Sequence, residues 1–569
     1  MVLDGFWWHR HRWTLIFAAL AIAAGSVLGL ASTVVVALPP HQGGRPEFYI
    51  ELFFAAIVVV VVLPLLFTRV RVGLPILLAV LAFLPSRSGM QWRYQGYAGV
   101  TAADLTILLG VIVLLVHTKV VRKERLQPIV VRTPLWIWLV VGVLGTLLAI
   151  AHGVSWINYV PELKGFFYFI LATVLCVNVV RSRQMLWAVT GIVVVSAIPT
   201  VYAGVRQAVT GEGALVSYLP NGQTINRVSG GNGLVNQFAY YMLIAFFLSL
   251  ALALASRRRA VRLFFYGCTL LFLVTIGLTY TRGAWIAGIV GLLVLAVLGG
   301  RRVLAGLVVA VVVAYFLIPS TIWARVDFSD NSVAERVTFT NTALATLRVY
   351  PLTGAGWGAN FSLIGGELVP DFNPGSIPFW HDDYLIVATQ VGLPGLAVFI
   401  WIWLALAVAV IRARRRAPPG PLRTYLFVMT AALAAMLTQP LTDMFFWRDD
   451  SGPLVWLVVG LICSAINLVD DERRGDPHPR PLSRARERGD TLTPNPSPVR
   501  GRGKTTLTPI PWLTGSPDPS RGSAGLARAP GARERGEDTL LTSPTAWNPT
   551  PSLRAPEKGV EGREGVHAP

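Results

Sequence analysis

A histidine and two aspartates, His381, Asp382 and Asp383, stand directly before a long apolar run in FWHDDYLIVATQVGLPGLAVFI, residues 379–400. Near neutral pH an imidazole accepts a proton from an attacking hydroxyl, and His381 is the only histidine between Pro319 and Asp382. The two acids would raise its basicity, bind a divalent cation, or simply be solvated ahead of a helix. No HExxH or Cys/His cluster accompanies them, so a metal is not expected.

Arg282, in GLTYTRGAWIAG, lies inside the apolar stretch from Leu263 to Leu298. An arginine at mid-bilayer costs about 2.5–3.5 kcal/mol on insertion scales, so a turn between two helices is the expected placement. Anion binding is one role open to it, and snorkelling or a structural bond is the other. SVAE at 332–335 reads as a capping box, with Ser332 as N-cap. The helix it opens carries Val333, Val337, Leu344 and Leu347 on one stripe, flanked by Arg336 and Arg348, and stops by Tyr350 before Pro351. Such a helix lies along the membrane surface or packs on the bundle. GAGWGAN, 354–360, offers backbone amides to a phosphate or makes tight turns. Trp323, Trp357, Phe379 and Trp380 either stack on sugar rings or form an interfacial aromatic belt. Asp443, Asp449 and Asp450, near the end of the penultimate span, suggest no specific role.

The elements that must position these groups are membrane helices. Of 569 residues 54% are hydrophobic and 14% charged, with mean hydropathy +0.57, against about 25% charged in soluble domains. Apolar runs of about twenty residues predict spans at Leu15–Ala37, Ile50–Phe67, Leu74–Pro85, Thr101–His117, Pro134–Ala151, Leu163–Val180 and Leu186–Ala203. They continue at Leu234–Ala255, Leu263–Thr279, Ala284–Leu298, Val303–Ile318, Tyr384–Ile411, Tyr425–Phe446 and Leu454–Leu468. The expectation is an all-α polytopic bundle of about 12–14 transmembrane helices, residues 1–475.

The net charge of +19 does not indicate nucleic acid, because its Lys and Arg punctuate the spans. From a cytoplasmic start, in a first helix retained rather than cleaved, every dense cluster falls on one face: 68–71, 119–125, 181–183, 256–259, 300–302, 412–416 and 471–474. The other face then carries the loops 204–233 and 319–382. Residues 476–569, rich in Pro, Gly and Arg, echo ARERGDTLTPNPSP in ARERGEDTLLTSPTAWNPTPS and read as a disordered cytoplasmic tail. Cys176, Cys268 and Cys463 read as packing residues.

With these residues in view, the chain resembles the O-antigen ligase/O-antigen polymerase family of bacterial inner-membrane proteins. LTYTRGAW, 278–285, looks like the family's Thr-x-Ser-Arg-Gly turn, with Thr281 in the serine position. ERVTFTNTALATLRVYPLTGAGWG, 335–358, looks like its arginine-led helix ending in Pro-x-x-Gly-x-Gly. HDDYLIVATQVGLPG, 381–395, looks like its His-Asn-x-Tyr-Leu element followed by Gly-Leu-x-Gly, with Asp382 in place of the usual asparagine. NRVSGGNGLVNQFAYYML, 226–243, is similar to its Arg-x-x-Gly segment with a later Asn before a helix.

The resemblance implies transfer of a glycan from undecaprenyl diphosphate to an acceptor hydroxyl on the outer face of the membrane, without cofactor or metal. The acceptor would be a glycan, a lipid or a protein. His381 would be catalytic; Arg282 and Arg336, with Arg227 and Arg348 in second rank, would bind the donor. The rivals are a transporter or flippase of lipid-linked glycan, whose ionisable residues should sit near the midplane, and a metal-dependent membrane glycosyltransferase using Asp382 and Asp383.

Overall fold

The computed structural model describes residues 70–83, 91–92, 100–218, 222–231, 234–301, 304–306, 331–359, 382–446, 448 and 451–474. All of them fall in one compact unit, Met1–Arg488. The expected spans Leu15–Ala37 and Ile50–Phe67, nearly all of Val303–Ile318, and the tail lie outside the described residues, as do His381, Trp323, Phe379, Trp380, Asp449 and Asp450.

The helices are α1 (Val70–Phe83), α2 (Ala102–Leu115), α3 (Arg132–Ala151), α4 (Trp156–Leu163), α5 (Ile170–Val179), α6 (Arg183–Thr210) and α7 (Val235–Ala255). They continue with α8 (Arg259–Leu278), α9 (Arg282–Gly299), α10 (Asn331–Val349), α11 (Asp383–Arg416), α12 (Pro421–Thr438) and α13 (Gly452–Arg473). Strands are short: β1 (Gln91–Trp92) pairs antiparallel with β2 (Val100–Thr101), and β3 (Leu215–Tyr218) with β4 (Thr224–Arg227). Nine helical stretches among the described residues are long and apolar enough to cross a bilayer, and α1 and the run Lys164–Val179 are shorter apolar helices. The protein is an all-α polytopic membrane protein.

Burial follows composition. α7 and α13, apolar on every face, are the innermost helices: α7 packs on α6, α8 and α12, and α13 on α5, α11 and α12. α3 and α8 turn Trp136, Val140, Leu147, Leu263 and Leu270 outward, where a soluble bundle would show polar residues. Hydroxyl pairs join the inner helices, Thr190 with Tyr425 at 3.1 Å and Ser196 with Tyr241 at 3.1 Å. The three cysteines are buried and free.

Two expectations for α10 change. The helix already includes Asn331, so Ser332 lies within its first turn instead of capping it. Its packed face is Ala343 and Thr346, set against α11, whereas Val337 and Leu344 are exposed. Small residues let two backbones approach in lipid, where an apolar stripe gains nothing by turning inward. The helix does stop at Val349, as Pro351 requires.

Candidate active site

Arg282 opens α9 at the end of a turn only three residues long. α8 ends at Leu278, Tyr280 adopts a left-handed conformation (φ +50°) that closes the helix, and Thr281 is the extended N-cap of α9. A bulky residue in that conformation is strained by about 1–3 kcal/mol. The left-handed residue reverses the chain and leaves Thr281 and Arg282 at the very end of the helix pair. Arg282 is 9% exposed.

The hairpin β3–β4 delivers Arg227 to this turn. Its Nε donates to the Thr279 carbonyl at 3.0 Å, and its Nη2 donates to Asn236 Oδ1 at 3.1 Å and to Thr281 Oγ1 at 3.2 Å. The Val228 amide donates to the Leu278 carbonyl at 3.4 Å, which fixes the strand end to α8. Two of the arginines expected in the site, Arg227 and Arg282, are therefore held on one turn although they are more than fifty positions apart.

Asn236, in the first turn of α7, passes the connection on. It accepts from Arg227 and from Thr281 Oγ1 (3.3 Å), and its Nδ2 donates to Asp443 Oδ2. Asp443 is 5% exposed and also accepts from the Met444 amide at 2.8 Å. The segment Gln439–Phe446 between α12 and α13 is the hub of the cluster. Thr442 abuts the start of α9, where any side chain at Gly283 would collide with its Oγ1. Phe445 and Phe446 donate their amides to Asp383 Oδ2 at 2.9 and 3.2 Å. Tyr384 donates its hydroxyl to the Leu437 carbonyl at 2.7 Å. The hub thus joins the Arg227–Arg282 turn to the first residues of α11, which directly follow His381 in the chain.

Asp382 and Asp383 are structural at this point. Asp382 is the N-cap of α11, its Oδ1 accepting from the Tyr384 amide at 2.8 Å and the Leu385 amide at 3.0 Å. Burial pushes its carboxyl up to about 6, against the pull of those two amides. Asp383 is completely buried and spends its carboxylate on the hub, so the solvated-pair expectation is overturned for it. An asparagine at 382 caps equally well without a buried charge. Asp382→Asn is therefore expected to keep insertion and activity, while Asp382→Ala loses about 1 kcal/mol of cap, read as a lower thermal midpoint in detergent.

The Pro351–Trp357 loop is a docking element, not a phosphate cradle. α11 breaks at Gly392 (φ +72°), two residues before Pro394, which strips hydrogen bonds from the helix. The loop replaces them: Ala355 N donates to the Thr389 carbonyl at 2.8 Å, Gly356 N to the Gln390 carbonyl at 2.9 Å, and Leu393 N to the Pro351 carbonyl at 2.8 Å. Trp357 is fully buried and donates Nε1 to the Gly142 carbonyl at 3.0 Å. Neither the aromatic belt nor sugar stacking describes it. On α10, Arg336 is partly buried and Arg348 exposed.

A comparison with protein families places residues 267–400, from α8 through the first half of α11, under the description O-antigen ligase. Over that stretch the chain is similar to the O-antigen ligase family. The stretch typical of the family contains the Thr279–Arg282 turn, α10 and the Asp382–Tyr384 cap, and Arg227, Asn236 and Asp443 are tied to it from outside. No curated protein matches the chain. A solved chain described under "Structural coordination of polymerization and crosslinking by a peptidoglycan synthase complex" is 14% identical over 66% of this chain and 99% of its own length. Its TM-score of 0.28 carries no argument about fold.

Sequence reasoning gives Asp443 no role and marks an asparagine ahead of α7 only through the resemblance, without a role for Asn236. The one available signal is an acid shortly after Pro440 where an apolar run ends, and an acid at such a place reads equally as a polar rim.

Proposed function

We propose that the protein transfers a glycan from undecaprenyl diphosphate to an acceptor hydroxyl at the periplasmic face of the bacterial inner membrane. The observation that carries the reading is the polar cluster at the α8–α9 turn. There Arg227 and Arg282 share one turn that the Gln439–Phe446 hub links to the start of α11. Lipid-linked diphosphates demand cationic forks at headgroup level, and arginine supplies them without a metal.

In the proposed reaction the acceptor oxygen attacks the anomeric carbon. The bond from that carbon to the diphosphate breaks, and the diphosphate leaves with the electron pair. Arg282 and Arg336 stabilise the charge it gains, with Arg227 and Arg348 as further donor contacts. His381 takes the hydroxyl proton. Asp382 and Asp383 are already committed to backbone amides, which favours the arginines over a cation as the partners of the diphosphate. Transfer is accordingly expected to survive a chelator.

The test is an in vitro assay with lipid-linked donor and a panel of glycan, lipid and protein acceptors. His381→Ala is expected to insert normally and to lose transfer, and unchanged turnover would refute the assignment. Reconstituted protein that moves labelled lipid without making a glycosidic bond would favour the flippase reading instead.

A further inference from the structure

Glu162 takes no part in the proposed chemistry, yet its Oε2 is buried. It sits in the last turn of α4, immediately before a π-helical stretch, Lys164–Tyr168. Such interruptions are frequent at functional positions. Its carboxyl group lies beside the side-chain amide of Gln390 of α11. Gln390 is 1% exposed and lies two residues before the break at Gly392.

Two acceptors remain. Glu162 Oε2 and Gln390 Oε1 are both buried, and neither has a hydrogen-bond partner among the described residues. Two buried acceptor oxygens left without a donor are unfavourable. A single proton on Glu162 resolves both. The carboxyl O–H then donates to Gln390 Oε1 while the amide donates back, closing a two-bond ring between α4 and α11.

We propose that Glu162 acts as a neutral carboxylic acid, a proton-dependent latch that fastens α4 to Gln390 and so holds the Pro351–Trp357 loop on the broken segment of α11. The backbone carbonyl of Gln390 receives the Gly356 amide, so the latch and the loop share one residue. Tyr159, three residues before Glu162, packs against the cluster of Ala149, Val154, Ala355 and Ala359 beneath the same loop.

Among the described residues, no other ionisable group on the packed elements explains the arrangement. Lys164 is paired with Asp104 of α2 at 2.7 Å. α3 has no ionisable residue after Arg132, and His152 beyond it is bonded through Nδ1 to the Ala355 carbonyl at 2.8 Å. α11 has none between Tyr384 and Arg412, and the loop 351–359 has none. Tyr350 lies beside His152, their rings 5.8 Å apart.

Burial pushes the Glu162 carboxyl up to about 7, opposed by the Gln390 hydrogen bond. Because the value in the folded protein lies above the ordinary 4.5, the stabilisation is complete at low pH and disappears as pH rises through 7. Loop closure should therefore weaken about tenfold between pH 6 and pH 8. As a statement about the loop this is independent of the transfer reaction; as a statement about activity it rests on the reading above.

Hydrogen exchange of the purified full chain in detergent tests it, following peptides from 351–359 and 386–395 and correcting for intrinsic rates. Wild type is expected to exchange about tenfold faster at pH 8 than at pH 6. Glu162→Gln, which donates and accepts like the protonated acid, should be protected equally at both. Glu162→Ala should exchange fast at both. A wild type without pH dependence, a Glu162→Gln variant with the wild-type slope, or one as fast as Glu162→Ala would overturn the proposal. In transfer assays Glu162→Gln should lose any alkaline decline that wild type shows; a protein without transferase activity would still give the exchange result.

Discussion

Replacing Arg282 by alanine is expected to reduce transfer about 10²–10³-fold, the scale for removing a group that stabilises charge developing on a leaving group. The side chain opens α9, so its positive charge adds to the partial positive charge of the helix N-terminus, which favours an anion. Arg227 is bonded to Thr281, the residue just before it, which places two arginines on one turn. Arg282→Lys keeps the charge but not the fork and should recover only part of the rate. The measurement is kcat/KM with lipid-linked donor, alongside a thermal midpoint to show that the fold persists. A variant with normal midpoint and undiminished rate would remove Arg282 from the mechanism. Loss of rate in proportion to loss of folded protein would assign it a structural role.

Gly354→Ala should be the most damaging conservative change outside the arginine cluster. Gly354 has φ +66°, and an added Cβ would collide with the Gln390 backbone. Neither partner can yield: one is the loop that supplies hydrogen bonds, the other the helix that lost them. Strain and overpacking together are expected to cost about 3 kcal/mol or more. The loop should lift from α11 and expose the carbonyls of Thr389 and Gln390. The outcome is a lower thermal midpoint together with faster exchange confined to 351–359 and 386–395. A stability within about 0.5 kcal/mol of wild type would show that the loop is not fastened this way.

The spans were legible because a bilayer sets a single strong requirement, about twenty apolar residues, that a run such as Val235–Ala255 meets without reference to its neighbours. Arg282 was legible as a turn residue for the same reason, since an arginine in that stretch is costly anywhere else. Asp443 was not. Its meaning depends on Asn236, 207 residues away, and on the amides that a connection between two helices presents to Asp383. Trp357 and the stripe on α10 misled for a common cause. Lipid welcomes apolar side chains such as Val337 and Leu344, so hydrophobicity does not distinguish inside from outside, whereas the small residues Ala343 and Thr346 do. The glycines of the loop announced an unusual backbone, but whether that backbone would bind a ligand or a helix was decided by Gly392 and Pro394, more than thirty residues further on.

The interruption of α11 also separates two mechanical duties. An unbroken helix from Asp383 to Arg416 would be about 51 Å long, well beyond a hydrocarbon layer of about 30 Å, and would tilt as a single rod whenever the membrane thinned or thickened. Divided at Gly392, the part from Leu393 onward is free to adjust its angle to the surrounding lipid. The short upper piece, pinned by Asp382, Asp383 and the Pro351–Trp357 loop, keeps its heading. Sensitivity to acyl-chain length should accordingly be muted at the cluster and expressed instead in the lean of the lower rod.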